Sequence, residues 1–182
     1  ASLLTVTPVA DRETIGGINY VTGTNGVDTL IGTSADETFV GYGGPVNNAG
    51  RTNATGDTLT GGGGHDTYIY RAGNVGKDTI TDFTLGAATT ANTDKLSLVD
   101  LLDGYTASNI ADFVRIAANG TTGVSVQVDF NGKADGSAFR PYMQVDLTGV
   151  TLASAATAYS ATVTDLDALR AAMMTHGQLI LA

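Results

Sequence analysis

Acidic residues recur in the first half of the chain near the end of short glycine-rich stretches. The segment GTNGVDTLI (23–31) runs directly into GTSADETFV (32–40), and GGGGHDTYI (61–69) repeats the same nine-residue pattern. Each unit begins with glycine, has a carboxylate at its sixth position and ends in a run that contains threonine and an apolar residue. Carboxylates at a fixed period can act together on one ligand if the units stack on one another.

A unit of this kind predicts a tight turn of six residues followed by a short strand of three, and two units complete one coil of a flattened right-handed roll. The period places Asp28, Asp57 and then Asp78 on one side of the roll, and Glu37 and Asp66 on the other. The apolar residues predicted to point inward are Leu30, Phe39, Leu59, Tyr68 and Ile80.

Calcium is the ligand that this pattern favours. Ca²⁺ takes six to eight oxygen ligands at about 2.3–2.6 Å, and glycine lets a backbone curl around an ion so that carbonyls complete the shell. Stacked carboxylates with no cation between them would repel one another. The predicted ligands are Asp28, Asp36, Glu37, Asp57, Gly61, Gly62, Gly63, Gly64, Asp66, Asp78 and Asp82. A roll that needs no metal and carries its acidic residues on the surface is the alternative.

Two irregularities complicate the ligand set. In GTSADE both Asp36 and Glu37 stand near the position where the repeat wants one carboxylate. An insertion over residues 42–55 interrupts the repeat, and Asp57 after it lacks most of the preceding glycines. The number of ions therefore stays open.

The second half of the chain has a different pattern. GVSVQVDF and YMQVDLTGV alternate strictly between apolar and polar residues, which predicts antiparallel strands. Between them, Asp129, Asn131 and Asp135 could gather around a further cation, and Asp94 is another candidate. Their spacing does not fit a helix-loop-helix calcium loop, so a polar hairpin loop is the preferred interpretation.

Three segments carry helical signals. Ser97 and Asp100 resemble a capping box ahead of LVDLL, and SNIADFVRI has a similar polar start and apolar spacing, so both predict short amphipathic turns. TDLDALRAAMMTHG predicts the longest helix, capped by Thr164 and ended by Gly177.

Composition excludes several classes of function. A net charge of -9 and a pI near 4.3 argue against binding to nucleic acid or anionic membranes. The chain has no cysteine, no apolar run near the length of a membrane span and no basic, apolar signal peptide at its start. It also lacks the HExxH, G-x-S-x-G and phosphate-loop motifs, so we expect no catalytic activity and no membrane insertion.

The nonapeptides from Gly23 to Ile69 resemble the repeats-in-toxin family. The longer series GGGGHDTYIYRAGNVGKDTITDFTLG, NTDKLSLVDLLDGY, the paired strands and the terminal HGQLILA is similar to the C-terminal target domain of type I secreted proteins. Such domains end giant bacterial surface adhesins. The resemblance covers about residues 21–182.

This resemblance implies a mainly β fold: a calcium-bound parallel β-roll packed on antiparallel strands, with short helices and one C-terminal helix. It implies the roll (21–85) and a strand-rich capping region (86–182) that carries an uncleaved secretion signal. Residues 1–20, which lie ahead of the resemblance, alternate weakly and predict an extended lead-in. The signal residues would be Gln178, Leu179, Ile180, Leu181 and Ala182.

The same resemblance implies a non-catalytic export module with two kinds of partner, several calcium ions and the type I secretion machinery. We expect a monomer at the cell surface or outside the cell, exported from a Gram-negative bacterium without an N-terminal signal peptide. Two alternatives remain. One is a glycan- or ice-binding roll that presents the threonines Thr29, Thr38, Thr58 and Thr67, and the other is the tail of a secreted hydrolase.

Overall fold

The computed structural model describes residues 11–24, 26–40, 55–71, 76–87, 90–102, 104–133, 136 and 138–181. Over these residues the chain is mainly β, as predicted, with strands in two six-stranded sheets of mixed direction and two α-helices. The insertion at 42–55 lies outside the described residues except for Thr55.

The strands are β1 (Asp11–Ile15), β2 (Ile18–Thr22), β3 (Thr29–Ile31), β4 (Glu37–Val40), β5 (Thr55–Thr60), β6 (Thr67–Arg71), β7 (Gly76–Ile80), β8 (Lys95–Asp100), β9 (Val114–Asn119), β10 (Gly123–Val128), β11 (Met143–Thr148) and β12 (Leu179–Ile180). A 3₁₀ turn covers Ile110–Asp112, and the helices are α1 (Leu152–Tyr159) and α2 (Leu166–Thr175).

Successive strands from β3 to β8 alternate between the two sheets. Sheet A has the order β1-β2-β4-β6-β8-β12, and sheet B the order β3-β5-β7-β11-β10-β9. Within this region each strand pairs in parallel with the strand two places further along the chain. Each nine-residue unit therefore sends its strand to the opposite sheet from the unit before it.

The register brings equivalent apolar residues side by side. Leu30 pairs with Leu59 and Leu59 with Ile80 in sheet B, while Phe39 pairs with Tyr68 in sheet A. The five residues predicted to point inward are confirmed as core, since none is more than 1% exposed. The rings of Phe39 and Tyr68 stack with centroids 4.9 Å apart.

Both sheets continue beyond the repeats. In sheet B, β11 pairs in parallel with β7 and then in antiparallel fashion with β10, which pairs with β9. The predicted antiparallel strands are thus confirmed. In sheet A, the β1-β2 hairpin forms one edge and β12 lies parallel to β8 at the other edge. Helix α2 packs on β9, and its Leu169 and Met173 are fully buried.

The predicted amphipathic turn after Ser97 is wrong, because Lys95–Asp100 forms a strand. Leu96 and Leu98 alternate inward and are both fully buried. The strand has a parallel neighbour on each side, β6 and β12. Backbone pairing on two sides outweighs a local capping signal, which is worth about 1 kcal/mol.

The other helical predictions need smaller corrections. SNIADFVRI forms only the 3₁₀ turn Ile110–Asp112 before β9 begins at Val114, where pairing with β10 takes over. The N-cap of α2 is Asp165 and not Thr164, because the Asp165 carboxylate accepts the backbone N–H of Ala168. Helix α1 was not predicted, although its capping box of Thr151 and Ser154 was a visible signal.

Candidate functional site

Three carboxylates stack beside sheet B, and we call Asp28, Asp57 and Asp78 the Asp57 row. The backbone N–H of Asp28 donates to Asp57 Oδ1 at 2.8 Å. The backbone N–H of Asp57 donates in the same way to Asp78 Oδ1, also at 2.8 Å. Asp57 and Asp78 each therefore accept the backbone N–H of the acidic residue in the preceding coil. The three residues lie on one side of the stack, as the sequence period predicted.

A second row of carboxylates, Glu37, Asp66 and Asp94, stacks beside sheet A, and we call it the Asp66 row. The N–H of Glu37 donates to Asp66 Oδ1 at 2.9 Å, and the N–H of Asp66 donates to Asp94 Oδ1 at 3.1 Å. Sequence reasoning treated Asp94 only as a possible additional ligand, but it holds the third position of this row. The loop after β7 crosses from sheet B to sheet A and carries Asp94 there.

Threonine closes the first turn of each row. The N–H and hydroxyl of Thr24 donate to Asp28 Oδ2 at 2.5 and 2.8 Å. The N–H of Thr33 donates to Glu37 Oε2 at 2.9 Å, and its hydroxyl donates to Oε1. Sequence reasoning missed both threonines. The signal was present, because in GTNGVD and GTSADE the threonine follows glycine and precedes the acidic residue by four positions.

The glycine turn at 61–64 lies in direct backbone contact with the turn before it. Gly62 and Gly64 have φ angles of 96° and 100°, which favour glycine. A Cβ on Gly62 would overlap the carbonyl oxygen of Thr33, and one on Gly64 would crowd the carbonyl oxygen of Ala35. The glycines therefore hold carbonyl oxygens of one turn against the backbone of the next.

The N–H groups of this glycine turn are held by side chains of the neighbouring turns. Gly61 and Gly62 donate to the two carboxylate oxygens of Asp82, at 2.9 and 2.8 Å. The N–H of His65 donates to Asp36 Oδ1 at 2.8 Å. Asp36 and Glu37 thus have different partners, and Glu37 is the one that belongs to the Asp66 row.

Burial raises the pKa values of four of the stacked carboxyl groups, those of Asp57, Asp66, Asp78 and Asp94. Asp57 and Asp66 are each 1% exposed, and burial raises the pKa of both to about 7. Burial also raises the pKa of Asp94 to about 6 and that of Asp78 above its usual value. Negative neighbours in the same row add to the increase for Asp57 and Asp66.

The donors fit a calcium ion better than a transition metal. Asp57 Oδ2 is buried without a hydrogen-bond partner, and the open side of Gly23 faces that oxygen and Asp28 Oδ2. Among the described residues, no three His, Asp or Glu side chains come together as a metal-binding group. The polar atoms that meet at this point are carboxylate oxygens, a donor class that suits Ca²⁺ better than a transition metal.

Comparison with known proteins adds no assignment. Neither a protein-family model nor a curated protein matches this sequence. No helix in the described part of the chain is long and apolar enough to cross a membrane.

The hairpin between β10 and β11 holds the remaining candidate ligands. Asp129 is 1% exposed, its Oδ2 accepts the N–H of Arg140 at 2.7 Å, and its Oδ1 has no partner. Asn131 is exposed, and Asp135 lies outside the described residues. A cation site in this hairpin stays a prediction.

The threonines of the alternative reading fall into two rows on different sheets. Thr29 pairs with Thr58 in sheet B, whereas Thr38 pairs with Thr67 in sheet A. No single face presents all four.

The tail residues predicted as a secretion signal are packed into the fold. Gln178 and Leu179 are each 2% exposed, and Leu181 is 5% exposed. Leu179 and Ile180 form β12 at the edge of sheet A, and Ala182 lies outside the described residues.

A Gly62→Ala substitution tests the backbone contact between turns. We expect it to destabilise the protein by about 2–4 kcal/mol, because it adds a steric overlap to the cost of a positive φ. Gly104→Ala is the matched control, since Gly104 has a φ of 74° but no atom within 4 Å of its Cβ position. Urea unfolding measures both, and equal losses would contradict the close contact.

The raised pKa values predict that acid favours the metal-free fold. The folded state keeps protons on Asp57 and Asp66 that the unfolded chain releases between pH 3.8 and about 7, so stability falls as pH rises through that window. In chelator, the folded fraction measured by circular dichroism should rise on acidification from about pH 8 to about pH 5. Asp57→Asn with Asp66→Asn should flatten this dependence, and an unchanged slope in that variant would assign it to other groups.

Proposed function

We propose that the repeats form a calcium-binding parallel β-roll and that the chain is a non-catalytic C-terminal export module of a type I secreted adhesin. It would pass through the export channel unfolded and fold outside the cell when it meets calcium. The predicted partners are Ca²⁺ and the secretion machinery, and the predicted location is the cell surface or the medium.

One observation carries the calcium part of the proposal. Two rows of carboxylates, all of them buried except the half-buried Asp28, stack along the two sheets. Within each row, the backbone N–H of one acidic residue donates to the carboxylate of the next. None of the ion pairs among the described residues involves either row. Buried charges need a partner or a proton, and Asp57 Oδ2 has no hydrogen-bond partner.

Calcium dependence would follow from mass action. Without a cation, the ionised rows repel and the glycines add conformational entropy to the unfolded chain, so we expect an open chain at neutral pH. A ligand that binds only the folded state stabilises it in proportion to the logarithm of its concentration. Extracellular calcium modules bind at about 10⁻⁴–10⁻³ M, well above free calcium in a cytoplasm.

The export part of the proposal rests on the resemblance to repeats-in-toxin target domains and on the chemistry of the tail. An unfolded chain exposes the apolar residues Leu179, Ile180 and Leu181, which folding buries or half-buries. A receptor could therefore bind this tail in the open chain.

Calcium titration of the 182-residue chain tests the first part. We expect chelated protein at about pH 7.5 to show weak β signal in circular dichroism and millimolar calcium to produce a cooperative gain. Asp57→Asn should raise the midpoint calcium concentration by about tenfold, because it removes a charged ligand. Asp11→Asn, at an exposed position in β1, is the control and should leave the midpoint unchanged. The same folded spectrum after thorough chelation would overturn the calcium proposal.

Export of a passenger protein tests the second part. With the passenger fused ahead of residue 1 in a Gram-negative host that has a type I exporter, we expect secretion into the medium. Deletion of residues 178–182 should abolish it. Phe39→Ala, which weakens the core but keeps the tail, should still be exported, so loss of folding alone cannot explain the effect of the deletion. Secretion without the tail would contradict this assignment.

A further inference from the structure

The side chain of Gln178 is buried and has all four of its hydrogen-bonding positions occupied. Its Nε2 donates to the carbonyl oxygens of Thr84 and Asp94, at 2.9 and 2.7 Å. Its Oε1 accepts the N–H of Gly86 at 2.8 Å and the hydroxyl of Tyr159 at 2.7 Å. A neutral side chain that satisfies four buried partners holds the groups around it in one arrangement.

The backbone of Gln178 forms hydrogen bonds with the two neighbouring elements, α2 and β8. Its N–H donates to the carbonyl of Met173 in α2, and its carbonyl accepts the N–H of Leu96 in β8, each at 2.8 Å. The tail, the last helix and the last strand of the parallel stack therefore meet at one residue.

The loop that Gln178 holds is the loop that positions Asp94. Asp94 Oδ2 accepts the N–H of Thr84 at 2.8 Å, and the N–H of Asp94 donates to the carbonyl of Thr84 at 3.0 Å. Asp94 Oδ1 accepts the N–H of Asp66. Gln178 thus donates to the backbone carbonyl of Asp94, which carries the last carboxylate of the Asp66 row, and to that of Thr84, which is hydrogen-bonded to Asp94. It does not touch the Asp94 carboxylate itself.

Helix α1 also contacts the segment that leads into the tail, through a stacked pair of rings. The ring of Tyr159 in α1 stacks on the imidazole of His176, with centroids 4.4 Å apart and planes within 4°. The Tyr159 hydroxyl then reaches Gln178. The stack orients the hydroxyl toward Gln178 and links α1 to the tail.

We propose that Gln178 is a positioning residue that couples docking of the tail to cation binding at the Asp66 row. Docking of the tail holds the loop of Asp94 in the geometry that completes the row, and a cation in the row holds the surface on which the tail docks. Coupling of this kind is reciprocal, so each event raises the affinity of the other by the same factor. The inference rests on the proposed function, because it assumes that the row binds calcium.

The coupling would also determine when a receptor of the secretion machinery can bind the tail. In the open chain nothing holds Gln178, and the tail is accessible to a receptor. Once the Asp66 row is occupied, the tail is committed to the edge of sheet A. Cation binding to the Asp66 row and docking of the tail are then parts of a single equilibrium.

Gln178→Met is the decisive variant because it keeps the volume of the side chain and removes all four hydrogen bonds. We expect the midpoint calcium concentration to rise by at least about fivefold. Residues 178–181 should also exchange amide hydrogens faster than in the wild type at equal calcium. Gln127→Met is the matched control, since Gln127 lies in β10 and bonds to Gln144. It should leave both readouts unchanged.

Gln178→Glu separates the two halves of the side chain. It keeps an oxygen for Gly86 and Tyr159 but loses the two N–H donors to Thr84 and Asp94. We expect it to shift the midpoint as Gln178→Met does. A wild-type midpoint in Gln178→Glu would overturn the role of these donors.

A double-mutant cycle distinguishes coupling from general loss of stability. Gln178→Met combined with Asp94→Asn should be non-additive in calcium midpoint, because both act on one loop. Gln178→Met combined with Asp57→Asn should be additive, since Asp57 belongs to the other row. Additivity in both cycles would overturn the proposal. If Gln178→Met does not fold at any calcium concentration, Tyr159→Phe replaces it in both cycles, with an expected shift of about two- to tenfold.

Failure of this inference can be told apart from failure of the proposed function. If the wild type shows no calcium-dependent folding, the proposed function is wrong. If the wild type folds with calcium but Gln178→Met keeps the same midpoint and tail exchange, only the coupling is wrong.

Discussion

Buried carboxylates that face one another across stacked turns impose the main constraint on this molecule. Asp57, Asp78, Asp66 and Asp94 each accept the backbone N–H of an acidic residue one coil away, so the coils cannot separate without leaving these donors unpaired. Burial disfavours the charged form of these carboxyl groups and raises the pKa of Asp57 and Asp66 to about 7. The folded state therefore holds protons that the unfolded chain releases at neutral pH.

The rest of the architecture serves this stacking. Positive φ angles at Gly62 and Gly64 bring successive turns into backbone contact, and the parallel pairs of sheets A and B repeat the same register beneath them. The stacked rings of Phe39 and Tyr68 fill the space between the sheets. A short repeat with few aromatic residues can therefore build a continuous core, because each unit buries its apolar residue against the equivalent residue of the next.

The C-terminal half closes one end of this stack. Strands β11 and β12 extend the two sheets in parallel, and Gln178 joins the tail to the loop that carries Asp94. An end of a parallel stack exposes unpaired backbone groups, and here β12 and the meander of β11, β10 and β9 cover it. The tail is consequently part of the fold, and Gln178 is hydrogen-bonded to the backbone of the residue that carries the last carboxylate of the Asp66 row.

The nine-residue period by itself determined strands β3 to β7, the inward apolar set and the stacking of Asp28, Asp57 and Asp78, because each follows from spacing within the repeats. The tertiary structure decided the place of Asp94 in the Asp66 row and the strand at Lys95–Asp100. The local signals of the segment Lys95–Asp100 pointed to a turn. The segment forms a strand because Leu96 pairs with residues that are distant in sequence, Tyr68 and Leu179. The hydrogen bonds of Gln178 could not be predicted from the sequence either. Its partners lie up to 94 residues away, and a local sequence pattern carries no information about contacts between such distant residues.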